Sequence, residues 1–195
     1  MLVKILTLTR PSQTISIIDQ NPVDFFIPFT GLSGNFSCTI VLKAEGAECR
    51  IFGAGILNHK NQLNLRVDTV HQAPHTKGET LIKAIVTDEA QFDFAGMIKI
   101  EKQAQHSVDF LRQDSLILSE GASANAVPSL EIEANEVRAS HAATAAPLNP
   151  DQLFYLCSRG ISRKRAERML AEAFLAEANP IADKKFQNQI TAALS

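Results

Sequence analysis

The feature that most constrains this chain is a succession of short extended runs, each closed by a cluster of turn residues. Apolar and β-branched residues gather at 3–8, 14–18, 25–29, 36–42 and 49–57, and again at 63–67, 81–86, 92–100, 116–118, 130–132 and 137–140. Runs of this length and composition read as strands. Between them stand Gly31-Leu32-Ser33-Gly34-Asn35, Asn58-His59-Lys60-Asn61, Thr76-Lys77-Gly78 and Ser119-Glu120-Gly121, whose Gly, Asn and Ser residues favour turns. Many short strands at close spacing build a sandwich, a barrel or a β-solenoid. Periodicity does not choose among the three, and no exact internal repeat marks a solenoid.

The character of the chain changes near residue 148. Asn149-Pro150-Asp151-Gln152 opens a helix, with Asn at the N-cap, Pro at the first helical position and Gln at the third. The helix passes through Leu153, Phe154, Tyr155 and Leu156 and stops at Gly160, a residue suited to a left-handed C-terminal cap. Ser162 is placed to cap a second helix running to about residue 177, with Ala166, Met169, Leu170, Ala173 and Phe174 on one stripe. Asn179-Pro180 breaks it, and a last helix carries Ala182, Phe186, Ile190 and Ala193 at helical spacing. The expected division is a β core over 1–147 and a helical subdomain over 148–195. Such helices serve as a cap over an open solenoid end, as a platform for a partner, or as both. The basic cluster Arg163, Lys164, Arg165 and Arg168 reads as a solvated face that could add to docking.

A chain of 195 residues suits one large domain with a small appendage. With 21% charged residues and a formal net charge of −2, it shows no footprint for nucleic acid. No apolar run reaches membrane-spanning length. Met1-Leu2-Val3-Lys4-Ile5-Leu6 soon meets Arg10-Pro11-Ser12-Gln13, without the apolar core and cleavage site of a signal peptide. Three cysteines, Cys38, Cys49 and Cys157, do not make a secreted disulfide framework, and the expectation is a cytoplasmic protein.

Cys38 and Cys49 lie among alternating apolar residues (Phe36, Ile40 and Ile51) and read as buried structural thiols. His71 and His75 are four apart, the spacing that binds zinc from one helix face, but Pro74 disfavours helix there. They read as solvent-side or hydrogen-bonding histidines on a turn. His59 and His106 stand among polar neighbours and suggest no site.

One stretch goes further. Pro128, Leu130-Glu131-Ile132, Ala134-Asn135-Glu136-Val137, Ser140-His141-Ala142-Ala143-Thr144 and Gln152 through Ile161 together follow the pattern P-x-LEI-x-A-[DN]-[DE]-V-x-x-SHGAT, a polar spacer, then QLFYLxSRGI. This resembles the closing segment of the SufB/SufD family, scaffold proteins of the Suf iron–sulfur cluster assembly system, and SufD more than SufB. Upstream, Val70-His71-Gln72-Ala73-Pro74-His75-Thr76 and Phe94-Ala95-Gly96-Met97-Ile98-Lys99-Ile100 are similar to further family segments, so the likeness covers about residues 63 to 175. The family's long helical N-terminal region has no counterpart here.

The resemblance implies a right-handed parallel β-helix followed by a small helical subdomain. It implies that His141 stands at the interface between two β-helix subunits, where a neutral imidazole is a plausible iron ligand. The other reading of His141 is a histidine that hydrogen-bonds a neighbouring turn. Phe154, Tyr155, Arg159, Gly160 and Ile161 fall in the region that would dock a SufC-like ATPase. The expected partners are that ATPase and a SufB-like subunit or a second copy in a dimer, with no nucleic acid and no membrane. Ala142 and Ala146 replace glycines of the pattern, Ala139 stands where a cysteine often precedes the histidine, and Cys157 replaces an arginine. Iron–sulfur clusters are held by several thiolates, so a transient cluster would be shared with a partner and not held by this chain alone. No nucleophile–base pair, phosphate loop or complete metal set is evident, so the resemblance implies a scaffold and no intrinsic catalysis. The alternative is a β-helix protein-interaction module without an assembly role.

Overall fold

A computed structural model describes residues 2–178 and 184–193. Among them are eleven strands: β1 (Leu2–Ile5), β2 (Ser12–Ile17), β3 (Val23–Pro28), β4 (Gly34–Leu42), β5 (Glu48–Leu57), β6 (Gln62–His71), β7 (Lys77–Val86), β8 (Gln91–Ile100), β9 (Val108–Ile117), β10 (Ser123–Ile132) and β11 (Arg138–Pro147). Three helices follow: α1 (Pro150–Ser158), α2 (Arg163–Ala176) and α3 (Lys184–Ala193). Ala182, expected in the last helix, lies outside the described residues.

Odd-numbered strands form a six-stranded sheet in the order β1-β3-β5-β7-β9-β11, and even-numbered strands form a five-stranded sheet in the order β10-β8-β6-β4-β2. Every pair is parallel. The chain therefore crosses from one sheet to the other and back, one coil after another. This is the parallel β-solenoid that the family resemblance implied. Gln62 lies beside Gln91, and Gln91 beside Ser123, so one coil takes about 30 residues.

Two kinds of position build the coil. Alternate side chains point inward, and rows such as Phe25, Cys38, Ile40, Ile51, Leu65 and Ile82 stack from coil to coil in one buried core. Burying each phenylalanine of that core stabilises it by about 1.5–3 kcal/mol. The corners need left-handed backbone. Gly31, His59 and Asp88 take φ of 69°, 54° and 58° at one corner, and Gly46, His75 and His106 take 70°, 58° and 61° at the other. Small polar residues and histidine tolerate this region better than β-branched ones. Successive corners are tied by backbone bonds from Gly46 N to Pro74 O (3.0 Å) and from His75 N to Gln105 O (2.9 Å).

The strand reading needs correction at three places. The short run at 116–118 is the end of a ten-residue β9, whose Asp109, Gln113, Asp114 and Ser115 are buried polar residues that break the alternation. β10 begins at Ser123, well before Leu130, and accommodates Pro128 because it is an edge strand. β11 runs past His141 to Pro147, since its ladder with β9 continues that far.

The helices do not close the end of the solenoid. A second core joins Phe26, Phe52, Ile56, Leu81 and Ile85, on the outer face of the six-stranded sheet, to Ala171 and Leu175 of α2 and to Phe186 and Ile190 of α3. Phe26 and Phe186 meet edge to face at 5.0 Å. The helical segment thus lies along the flank of the solenoid. The buried positions of α2 are Ala166, Ala171 and Leu175, whereas Met169 and Ala173 are exposed. The stripe is rotated from the expected one because the sheet accepts the narrow Ala171–Leu175 side. Ser162 occupies the N-cap position but makes no side-chain cap bond.

Candidate functional site

β10 and β11 end their sheets together, ten residues each. Each pairs along its whole length with the coil before it, and its other edge has no strand neighbour among the described residues. Such an edge is a template for another strand. Ile98, Ile100 and Leu111 are fully buried in the preceding coil. Leu130, Ile132 and His141 stand in register with them, on the same inward row. Yet Leu130 and Ile132 keep 39% and 40% of their surface exposed, and His141 is exposed. The expected buried face of 130–132 is an open end. His141 lies within β11, paired on one side with Leu111 of β9.

The remaining expected site residues belong to α1 and the turn after it. Asn149 Oδ1 accepts from the backbone N–H of Asp151 (2.9 Å) and Gln152 (3.3 Å), with Pro150 next to it, which fixes the start of α1 as expected. Gly160 takes φ 83°, and Ile161 N donates to Leu156 O at 3.3 Å, turning the chain toward α2. Phe154 and Tyr155 are 75% and 56% exposed. The Arg159 guanidinium lies 5.2 Å from the centre of the Tyr155 ring, where a cation is attracted. Leu148 and Asn149 alone separate β11 from α1, so the His141 strand and the aromatic helix are consecutive elements.

His71 is at the end of β6 and fully buried, not on the solvent side. Its Nε2 is 2.8 Å from Asp109 Oδ2 and its Nδ1 is 2.7 Å from Thr76 Oγ1, which in turn is 2.7 Å from Ser107 Oγ. The carboxyl fits because Gly78 leaves the space that a side chain would fill. An Asp–His–hydroxyl sequence of this kind activates a nucleophile only where substrate can reach it; here every member is closed from solvent and braces the core. His75 stacks on His106 at the exposed corner, ring centres 4.9 Å apart. Cys38 and Cys49 are buried, as expected. Burial, with Asp68 adding to it, pushes the Cys38 thiol up to about 11; burial likewise raises Cys49, with Asp109 adding to it. Both are poor thiolates and poor cluster ligands. Cys157 is half-buried in α1.

One group of residues gave no sequence signal as a unit. On the outer face of the six-stranded sheet, Lys83 lies almost fully buried between Leu81 and Ile85. It pairs with Glu177 at the end of α2, lies 3.6 Å from Asp114 Oδ2, and sits 4.5 Å from the centre of the Phe174 ring. Arg112 reaches the same two carboxylates, at 2.8 Å from Asp114 and 3.5 Å from Glu177. Thr144 Oγ1 donates to Asp114 Oδ1 at 2.5 Å.

Together these features define a two-sheet parallel β-solenoid with an open, strand-edged end and a helical segment on its flank. Residues 31–174 match the family model described as "SUF system FeS cluster assembly, SufBD core domain". The chain belongs to the SufB/SufD family. It is similar to the iron–sulfur cluster assembly protein SufD of Escherichia coli, at 30% identity over 208 residues, covering 92% of this chain and 47% of that protein. The SufD protein of Bacillus subtilis is 36% identical over 113 residues, 58% of this chain and 26% of that protein. An iron–sulfur cluster assembly SufBD family protein of Synechocystis is 26% identical over 134 residues, 69% of this chain and 28% of that protein. The chain thus spans less than half the length of these relatives. Among the described residues, no helix is long and apolar enough to cross a membrane.

Proposed function

We propose that this chain is a SufD-like scaffold subunit that supports iron–sulfur cluster assembly at a β-helix subunit interface. The observation that carries this reading is the open coil: two ten-residue strand edges, apolar Leu130 and Ile132 left half in water, and an exposed imidazole among them. A second chain of the same family, a SufB-like subunit or another copy, would extend both sheets and cover that row. His141 would then face the partner's ligands. An imidazole is a competent iron ligand, and the remaining thiolates would come from the partner, because Cys38 and Cys49 are sealed inside the solenoid. The cluster is cargo that leaves, and the chain itself carries out no covalent step.

The second surface is α1. Phe154 and Tyr155 present two adjacent aromatic rings to solvent, the kind of anchor that protein partners bury. We assign them, with Arg159, Gly160 and Ile161, to docking of a SufC-like ATPase. Co-purification tests this: the wild-type chain should retain a SufC-like ATPase, and the pair Phe154→Ser and Tyr155→Ser should lose it while keeping its fold. Failure of the folded wild-type chain to bind the ATPase would sink the docking claim and favour an interaction module without an assembly role.

A further inference from the structure

Two histidines far apart in sequence meet at one corner of the solenoid. His75 and His106 take the same place in successive coils, both with positive φ (58° and 61°). Backbone bonds hold the corners in file: His75 N donates to Gln105 O at 2.9 Å, and His106 N to Glu136 O at 2.6 Å. The two rings lie with centres 4.9 Å apart and planes inclined by 19°. Both histidines are exposed, and so is Glu136, whose Oε2 is 3.3 Å from His106 Nδ1. A hollow of about 430 Å³ opens beside His106, lined by Asn135, Glu136, Val137 and Arg138 among others.

This spacing suits a metal clamp. Histidines four apart on a helix have Cβ atoms about 5–6 Å apart, and such a pair supplies two zinc ligands. Adjacent coils of a parallel solenoid give nearly the same separation, about 4.7–4.9 Å. We propose that His75 and His106 together bind a divalent ion of the class that imidazole prefers, such as Zn2+, with Glu136 positioning His106. The carboxylate beside Nδ1 favours the proton on that nitrogen and leaves Nε2 a lone pair for the ion. The exposed rings turn about their side-chain bonds until one nitrogen of each meets the ion. No three His, Cys, Asp or Glu side chains converge on a point among the described residues, so the protein ligands are two and water from the hollow fills the other positions. Arg138 on the hollow's wall offsets the charge of Glu136, so binding rests on the two nitrogen ligands and not on a general attraction for cations. An ion held there fastens two coils by their corners and stabilises the fold, because the unfolded chain does not hold the pair together. His141 takes no part, so the site stands apart from the assembly reading.

The test is calorimetric titration of the whole chain with Zn2+. His75→Asn and His106→Asn should each weaken binding by about tenfold or more, and Glu136→Ala by about tenfold, the usual loss when a carboxylate behind a ligating histidine is removed. Asn tolerates a positive φ and all three positions are exposed, so the variants should fold. His59→Asn at the other corner and His141→Ala should leave the affinity unchanged. Zn2+ should raise the Tm of wild type and leave that of His75→Asn where it was. A second measurement needs no variant: Cu2+ bound to the wild-type chain should show two imidazole nitrogens in its electron spin resonance spectrum. Equal Zn2+ affinity in wild type and either histidine variant, or fewer than two imidazole nitrogens on Cu2+, would overturn the proposal and leave a pair of rings that only pack. Neither measurement uses a partner or His141, so failure here is distinct from failure of cluster assembly or of ATPase docking.

Discussion

Replacing His71 with Ala should be among the most damaging single changes to this solenoid. His71 and Asp109 are both fully buried, and the imidazole supplies the bond to Asp109 Oδ2 at 2.8 Å. Asp109 Oδ1 has no hydrogen-bond partner among the described residues, so the variant leaves a buried carboxyl with neither oxygen bonded. Thr76 loses one partner and keeps Ser107 and the Ala73 carbonyl, so the hydroxyl pair contributes little to the loss. Removing the partner of a buried carboxyl costs about 3–5 kcal/mol. For a chain of this size that lowers Tm by roughly 6–20 °C, readable by circular dichroism. Adding Asp109→Ala removes the stranded carboxyl, so the double variant should be more stable than the sum of the two single losses predicts, by about 1–3 kcal/mol. A loss below about 1 kcal/mol in His71→Ala, or strict additivity in the double variant, would show that the pair does not hold this part of the core as argued.

Two other outcomes follow from the same structure. At pH 8 a disulfide reagent should label Cys157 quickly and leave Cys38 and Cys49 untouched until denaturant is added, because burial holds Cys38 at about 11 and Cys49 well above its ordinary range; fast labelling of more than one thiol in the folded chain would contradict this. Gly55→Ala should destabilise by about 1–3 kcal/mol in thermal unfolding, since a methyl there meets the Phe29 ring and, at 2.8 Å, its backbone; an unchanged Tm would mean that Phe29 can move aside.

The runs that became β5, β7 and β8 were legible because their inward rows are plainly apolar, as in Ile51, Ile82 and Phe94. The solenoid itself was not legible from periodicity. Its repeat resides in backbone shape: one corner is Gly46, His75 and His106 in turn, which share a positive φ but not one residue type. Only the likeness to known segments chose the fold. β9 was hidden because its buried Asp109, Gln113, Asp114 and Ser115 read as a loop until partners from other coils are known. The helices were legible one by one from Asn149, Pro150 and Gly160, but no local rule says that α2 docks on β7, with Leu175 in one cluster with Leu81 and Ile85, instead of across the open end. His141 was picked out by its motif alone. Its exposure in an edge strand, and the bond of Thr144 to Asp114 on the neighbouring strand, required the register of β11 on β9.

One measurement tests the assembly role most directly: anaerobic reconstitution with iron and sulfide, read by cluster absorbance, of the chain alone and together with SufB-like and SufC-like partners, in wild type and in His141→Ala. His141 is exposed, so the variant should fold as wild type does. A cluster should form only with the partners and fall sharply in the variant. An equal yield from both proteins would remove His141 from the assembly site and leave the open coil as a docking surface alone.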